Sequence, residues 1–458
     1  MDNVVKMIDR ALDGDPLTED RLALHFSERH AHDLRYVAVT STWFRWDNTR
    51  WRPEETTLAF DLARDSCRRD ATEFGNGGAP SSVYSAKTVA AVERMAKADR
   101  RQAATLDQWD TLDLLFNTGG TNGMPDQTFD LSTGKPQPPN PHDYITKRTA
   151  GAVAPPGAPH PAWSAFLNRI LPDIETQKFL QRFVGYCCTG ITTEHVFVFA
   201  YGTGANGKST FINTIVKLLG DYATIADVGT FIASNHERHP TDLAKLHGAR
   251  LVVAQETDKG RRWDEAKIKT MTGGDRMTAR FMRGDFFDFV PKFKLFITGN
   301  HKPRLDNVDE AMRRRLLLVP FTVQIPPEER DHELPDKLQA EGPAILRWAL
   351  EGCGEWRRIG LQPPEAVTRA TEDYFSDQDT TQQWFDDSIE IAPPTAFARS
   401  GELFASWRQW CLERNLNPGS VNALADALYE RGFERARLHG GKRGFRGLAI
   451  KTSTGSLG

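Results

Sequence analysis

The sequence predicts an α/β protein with a parallel-stranded core, and three observations carry that prediction. The first is the stretch from Val196 to Gly220, VFVFAYGTGANGKSTFINTIVKLLG: an apolar run, a glycine-rich turn ending in Lys208-Ser209-Thr210, and an amphipathic segment closed by glycine. The second is the return of short apolar runs at Leu251–Ala254, Leu295–Ile297 and Leu316–Val319, separated by helical or polar segments, which is the rhythm of a mostly parallel sheet covered by helices. The third is length, since 458 residues hold two or three domains.

Residues 1–155 read as a mixed α+β region. The stretch Trp43-Phe44-Arg45-Trp46-Asp47-Asn48-Thr49-Arg50-Trp51 alternates around a turn and predicts a β-hairpin. Val89, Val92 and Ala96 keep helical spacing, whereas Gly75–Gly78 and the prolines from Pro136 to Pro159 mark loops and a boundary near 150–160. From Trp163 to Cys188 the pattern is helical, with Phe166, Ile170, Phe179, Phe183 and Val184 on the buried face, so 156–195 forms a helical collar. The core occupies 196–325. Helices return over 326–372 as a small lid, with Leu334, Leu338, Ile345, Leu346, Trp348 and Leu350 packing. In 373–458, two helical stretches followed by a glycine-and-basic segment suggest a winged-helix-like domain.

Bulk properties narrow the class. A net charge of -3 and a pI near 6.5 exclude a globally basic nucleic-acid coat, so any such contact is focused on a local patch. Five cysteines without C-x-x-C spacing suggest neither a disulfide framework nor a zinc site, and His236-Glu237-Arg238-His239 is one residue short of a zinc-binding H-E-x-x-H. The N-terminus has no apolar signal core, and no stretch approaches the roughly 18 continuous apolar residues of a membrane span. A cytoplasmic protein without a membrane partner is expected.

The chemistry begins at the glycine turn. Gly202, Thr203, Gly204, Ala205, Asn206, Gly207, Lys208 and Ser209 fit G-x-x-x-x-G-K-[ST], and Thr210 follows. Their setting between a strand and a helix points backbone N–H groups and a helix N-terminus at an anion, so the loop is expected to bind ATP. Lys208 would reach the β- and γ-phosphates and Ser209 would ligate Mg²⁺.

Leu251–Ala254 delivers Gln255-Glu256 beside that loop. Glu256 is the candidate to polarise the attacking water, to hold the metal, or both, because Gln255 cannot carry a charge where an acid often stands; the plainer alternative is a turn cap. Leu295–Ile297 leads to Thr298-Gly299-Asn300, whose amide can bond both γ-phosphate and water, or can simply form a turn. Arg313-Arg314-Arg315 precedes a strand. Arg314 and Arg315 are either solvated or, in an oligomer, fingers that reach a neighbour's nucleotide.

These pieces together resemble the superfamily III helicases of the AAA+ class, most closely the phage and plasmid primase-helicase family related to the poxvirus primase-helicase. The motifs that carry the resemblance are the Trp43–Trp51 hairpin, Asp130-Leu131-Ser132-Thr133-Gly134, Tyr144-Ile145-Thr146-Lys147-Arg148, Gly204–Thr210, Glu256-Thr257, Lys269 with Thr272-Gly273-Gly274-Asp275, Thr298-Gly299-Asn300 and Arg314-Arg315. The resemblance implies an AAA+-like P-loop ATPase core in a homo-oligomeric ring, usually hexameric, that draws single-stranded or forked DNA through its centre with 3′ to 5′ polarity. It also implies a hairpin between the strands bearing Glu256 and Asn300. There Arg280 and Arg283 would grip phosphates and Phe281 would stack on a base; composition alone equally allows an amphipathic surface hairpin.

In the tail, Arg435, Arg437, Lys442 and Arg443 lie in a basic cluster suited to duplex DNA, a solvated face or a protein contact. A replicative DNA helicase of a phage, prophage or plasmid is the expected function. An origin-melting initiator or translocase without processive unwinding is the first alternative, and a nucleotide-gated DNA-binding assembly module the second. Relatives commonly carry a primase domain ahead of this region, and no paired-acid priming site is visible here. Priming is therefore expected from a separate primase, or the chain is a fragment or a helicase-only member.

Overall fold

The computed structural model describes residues 15–75, 78–121, 123–233, 241–255, 261–280, 285–305, 309–414, 416–437 and 441–451. The chain divides into two compact units, Met1–Pro303 with Arg314–Thr368, and Arg304–Arg313 with Arg369–Gly458.

The first unit opens with α1 (Glu19–Arg29), β1 (Leu34–Val37), β2 (Thr42–Trp46), β3 (Trp51–Pro53), α2 (Leu58–Phe74), α3 (Ala86–Ala96) and β4 (Ala103–Ala104), in a sheet of order β3-β2-β1-β4. The expected tryptophan hairpin is β2–β3, with Trp46 opposite Trp51. Its turn closes because the Asp47 carboxylate accepts from Thr49 N at 3.0 Å and Arg50 N at 2.9 Å. Leu22, Phe26, Ala63, Cys67, Val89 and Val92 pack the three helices together. A three-stranded antiparallel sheet follows: β5 (Leu115–Thr118), β6 (Gln127–Asp130) and β7 (Lys135–Gln137).

The helical stretch expected from Trp163 to Cys188 is two helices, α4 (Pro161–Ile170) and α5 (Ile174–Cys187). Pro172 interrupts the run, and the Asp173 carboxylate restarts it by accepting from Glu175 N and Thr176 N. The expected buried face is buried on both helices.

Next come β8 (Phe197–Tyr201), α6 (Lys208–Leu219), β9 (Ala223–Ala226), α7 (Thr241–Ala244), β10 (Leu251–Gln255), α8 (Glu265–Gly273), β11 (Met277–Arg280), β12 (Phe286–Phe289), β13 (Lys294–Gly299), α9 (Glu310–Arg313) and β14 (Leu316–Pro320). Strands β14-β8-β13-β10-β9 form one sheet in that order, and every pairing is parallel. The outer strand β9 was not anticipated: Ala223-Thr224-Ile225-Ala226 is short and only partly buried, so it lacks the apolar run that marks the other four. Helices α10 (Leu334–Ala340) and α11 (Gly342–Ile359) bury Leu338, Ile345, Leu346, Trp348 and Leu350 in the core they share with α4, α5 and the sheet. A Cβ at Gly185 would stand 2.0 Å from the Cys353 nitrogen and one at Gly352 2.1 Å from the Gln181 carbonyl, so α5 and α11 approach as closely as they do only because both positions are glycine.

Two buried cations tie this unit together. Arg250, just before β10, donates to the carbonyls of Cys188, Leu112 and Leu115. Lys294, at the start of β13, donates to those of Thr189, Ile191 and Lys292, and its ammonium lies 4.7 Å from the Tyr186 ring centre. Both cations therefore neutralise the carbonyl end of α5. Burial pushes Lys294 down to about 7. The unfolded chain, with an ordinary lysine, binds the proton more readily, so this group adds stability as pH rises from about 7 towards about 10. Lys294→Met removes the titrating amine and leaves three carbonyls without their donor, at a net cost of about 2 kcal/mol. The expected result is a lower urea midpoint at pH 7, and a gap from wild type that widens at pH 9. Comparing the two proteins cancels the opposing contribution of the buried thiols.

The second unit comprises α9 with α12 (Glu365–Gln378, whose first turn belongs to the first unit), α13 (Thr380–Ser388), β15 (Ile389–Ile391), β16 (Phe397–Arg399), α14 (Ser400–Glu413), α15 (Val421–Glu430), β17 (Arg435–Arg437), β18 (Arg443–Arg446) and β19 (Leu448–Ile450). Strands β16-β18-β17 form an antiparallel sheet, and Trp384, Trp407, Trp410, Leu424, Leu428 and Phe445 form the core beneath it.

Candidate functional site

The glycine turn leaves β8 and enters α6 through three left-handed residues, Gly204 (φ 99°), Ala205 (φ 49°) and Gly207 (φ 80°). At Gly207 both conformation and space demand glycine, since a Cβ would meet the Ile170 side chain at 2.4 Å. The segment after β14 lies along the turn and fixes it: Asn206 Nδ2 donates to the Phe321 carbonyl at 3.0 Å, Ile325 N to the Ala205 carbonyl at 2.8 Å, and Gln324 Nε2 to Thr203 Oγ1 at 3.0 Å.

Lys208 is only 6% exposed. Its ammonium donates to the Gly202 carbonyl at 2.7 Å, to Asn206 Oδ1 at 3.1 Å and to Asn300 Oδ1 at 3.4 Å. None of these partners is an anion, and burial holds its pKa below the usual lysine value. A cavity of about 280 Å³ lies beside it, lined by Gly204–Thr210, Gln255, Thr298, Gly299 and Asn300. The described lining thus combines an ammonium and a helix N-terminus with no carboxylate, which suits a phosphate chain. Ser209 lies on the same wall.

Sequence reasoning placed Lys208, Ser209, Thr210 and Asn300 together, and they line one cavity. Gln255 reaches it as well, with Nε2 donating to Asn213 Oδ1 at 2.8 Å. Glu256 lies outside the described residues. Arg314 and Arg315 are absent from the cavity wall. Arg315 Nε donates to Thr272 Oγ1 at 3.2 Å, whereas Arg314 is exposed. Lys269 sits on α8, 3.8 Å from Glu265. Sequence reasoning missed Gln324 and Phe321, because their partners lie more than a hundred residues away and no local pattern announces them.

Strands β11 and β12 form the expected hairpin. Its inner face is anchored by Phe287 and Phe289, whose rings meet the His247 ring edge-on at 5.4 Å each. Arg280 is exposed on the outer face, while Phe281 and Arg283 lie outside the described residues.

The tail's basic residues lie on or beside β17 and β18. Helix α15 carries neither lysine nor arginine, and its Asp426 holds Arg435. Arg437 and Arg443 face each other across β17–β18, and Lys442 adjoins them; all three are exposed.

Residues 23–172 match the family described as D5 N terminal like, and residues 200–315 match a family of unknown function, DUF5906. A protein of Acanthamoeba polyphaga mimivirus named "Putative helicase L207/L206" is 27% identical over 270 residues, covering 54% of this chain and 28% of the relative. The frog virus 3 protein named "Putative helicase 022R" is 27% identical over 271 residues, covering 54% of this chain and 27% of the relative. The chain thus spans just over a quarter of the length of these curated relatives. The apo structure of the NrS-1 C terminal region (305–718) aligns with 95% of this chain and 100% of that one at 10% identity and a TM-score of 0.49.

The fold is mixed α/β, built around a glycine-rich turn that leaves a parallel sheet. The chain is related to the D5-type superfamily III primase-helicases. Among the described residues, no helix is long and apolar enough to cross a membrane.

Proposed function

We propose that the chain is the motor of a replicative DNA helicase from a phage, prophage or plasmid, hydrolysing ATP as a cytoplasmic homo-oligomeric ring, six subunits in the usual form. The reading also takes the core as AAA+-like and the second unit as winged-helix-like. The observation that carries it is the meeting of Lys208 and Asn300, 92 residues apart, at the mouth of a preformed glycine turn.

Bound triphosphate would replace the carbonyl and amide partners of the Lys208 ammonium with phosphate oxygens, and α6 would direct its N-terminus at the same charge. Asn300, within reach of that ammonium, would orient the attacking water against the γ-phosphate. Ser209 and Glu256 would hold Mg²⁺, which when bound neutralises phosphate charge. The exposed Arg314 would serve the neighbouring subunit's nucleotide. Hydrolysis would move the β11–β12 hairpin along a single strand in the 3′ to 5′ direction, and the Arg437–Arg443 wing would contact the duplex. Priming would come from a separate primase, and an initiator would load the ring.

A second reading, a nucleotide-gated assembly module that does not turn over, draws on Gln255, whose amide is bonded to Asn213 where a charged group would serve a metal better. Glu256→Gln separates the two. Wild type is expected to hydrolyse ATP faster than the variant by roughly 10²–10⁴-fold. Equal rates would end the motor reading.

A further inference from the structure

Between β13 and β14 the chain leaves the first unit at Arg304 and returns to it at Arg314. Arg304–Arg313 belong to the second unit, and the candidate finger Arg314 is the first residue after them. Two contacts from α12, both inside the second unit, hold the described ends of that excursion. At its start Leu305 N donates to Gln378 Oε1 at 3.2 Å. At its end the Arg313 guanidinium lies 5.2 Å from the ring centre of Phe375, a cation–ring contact. Phe375 is buried beside Tyr374, with their rings 5.4 Å apart, so the platform under Arg313 is a fixed one. The Asp309 carboxylate opens α9 by accepting from Met312 N at 2.7 Å, and Met312 is buried as well.

The three consecutive arginines therefore have three different settings. Arg313 rests on Phe375, and Arg315 Nε donates to Thr272 Oγ1. Arg314 between them is exposed, so burial does not fix it. A guanidinium that meets transition-state charge must be placed to within about 1 Å, and an exposed side chain gains that precision from the backbone that carries it. Here the backbone is pinned through the residue on either side.

We propose that Phe375 and Gln378 are positioning residues for Arg314: by holding Arg313 and Leu305 they set the backbone from which the finger extends to a neighbour's nucleotide. The inference rests on the motor reading above and on the finger role it gives Arg314. It gives the second unit a part in hydrolysis that is separate from contact with DNA.

Steady-state ATP turnover and subunit mixing, both with the full chain, test it. Phe375→Leu combined with Gln378→Ala is expected to lower kcat by roughly 10²-fold, the cost of misplacing a catalytic group by about 1 Å. KM for ATP should stay at the wild-type value, because neither residue lines the nucleotide cavity. Arg313→Gln leaves α12 untouched and should reproduce the effect more weakly, by about fivefold. Mixed one to one with Lys208→Met, whose own Arg314 is held normally, the double variant should recover turnover. Mixed with Arg314→Ala it should not, because neither protein then presents a held finger. Wild-type turnover in both the double variant and Arg313→Gln overturns the proposal. So does recovery with Arg314→Ala, or no recovery with Lys208→Met, since the defect would then lie in the double variant's own site or assembly. If wild type hydrolyses no ATP, the motor reading fails; if only Arg314→Ala is as fast as wild type, the finger role fails and this inference with it.

Discussion

Replacing Lys208 with methionine is expected to cut ATP turnover by roughly 10²–10³-fold while leaving the fold intact. The ammonium is buried among neutral oxygens, an arrangement that is costly by itself and useful once a phosphate oxygen is its partner. Its pKa is lowered by burial alone, so the folded chain gains no stability from the charge in the pH range where lysine is protonated. Methionine, of similar length, should leave the urea midpoint nearly unchanged, because the Asn206 and Asn300 oxygens it deprives of a donor line a cavity that water can enter, unlike the enclosed carbonyls around Lys294. Loss of turnover with a nearly unchanged midpoint is the expected pair of results. A fall in both would make Lys208 a structural residue.

Arg314→Ala is expected to lower turnover by roughly 10³–10⁵-fold, the range of a finger that meets transition-state charge. The arginine is exposed and absent from the cavity, so in the proposed ring its effect is expected at a neighbour's site. Arg315 has a different place, fixed by Thr272. Mixing tests the distinction. Subunits bearing Arg314→Ala keep Lys208, and subunits bearing Lys208→Met keep Arg314. Mixed one to one, the two inactive proteins would place both intact groups at about a quarter of the junctions of a head-to-tail ring. Recovered turnover is expected, rising with the time allowed for exchange. Co-assembly without recovery would place Arg314 outside the shared site.

The core was legible because four of its five parallel strands carry apolar runs, three of them followed and one preceded by candidate site residues. β9 was not legible, since an edge strand needs less burial and Ala223–Ala226 carries no such run. The break between α4 and α5 was written in Leu171-Pro172-Asp173, but the apolar spacing on either side concealed it. Within the site, Lys208 and Asn300 could be paired because each ends or follows a recognisable strand. The Gln324 and Phe321 contacts to the turn depend on tertiary folding alone. In the tail, composition alone could not say which element carries the basic cluster; the charge lies on β17–β18 and not on α15.

The central claim is that hydrolysis at Lys208 moves a single strand, and strand displacement tests it most directly. Forked duplexes carrying only a 3′ or only a 5′ single-stranded tail are incubated with ATP or a non-hydrolysable analogue, and the released strand is measured. Release from the 3′-tailed fork with ATP alone, lost in Lys208→Met, is the predicted result. ATP hydrolysis stimulated by DNA without release from either fork would contradict it and leave a translocase or origin-melting initiator in its place.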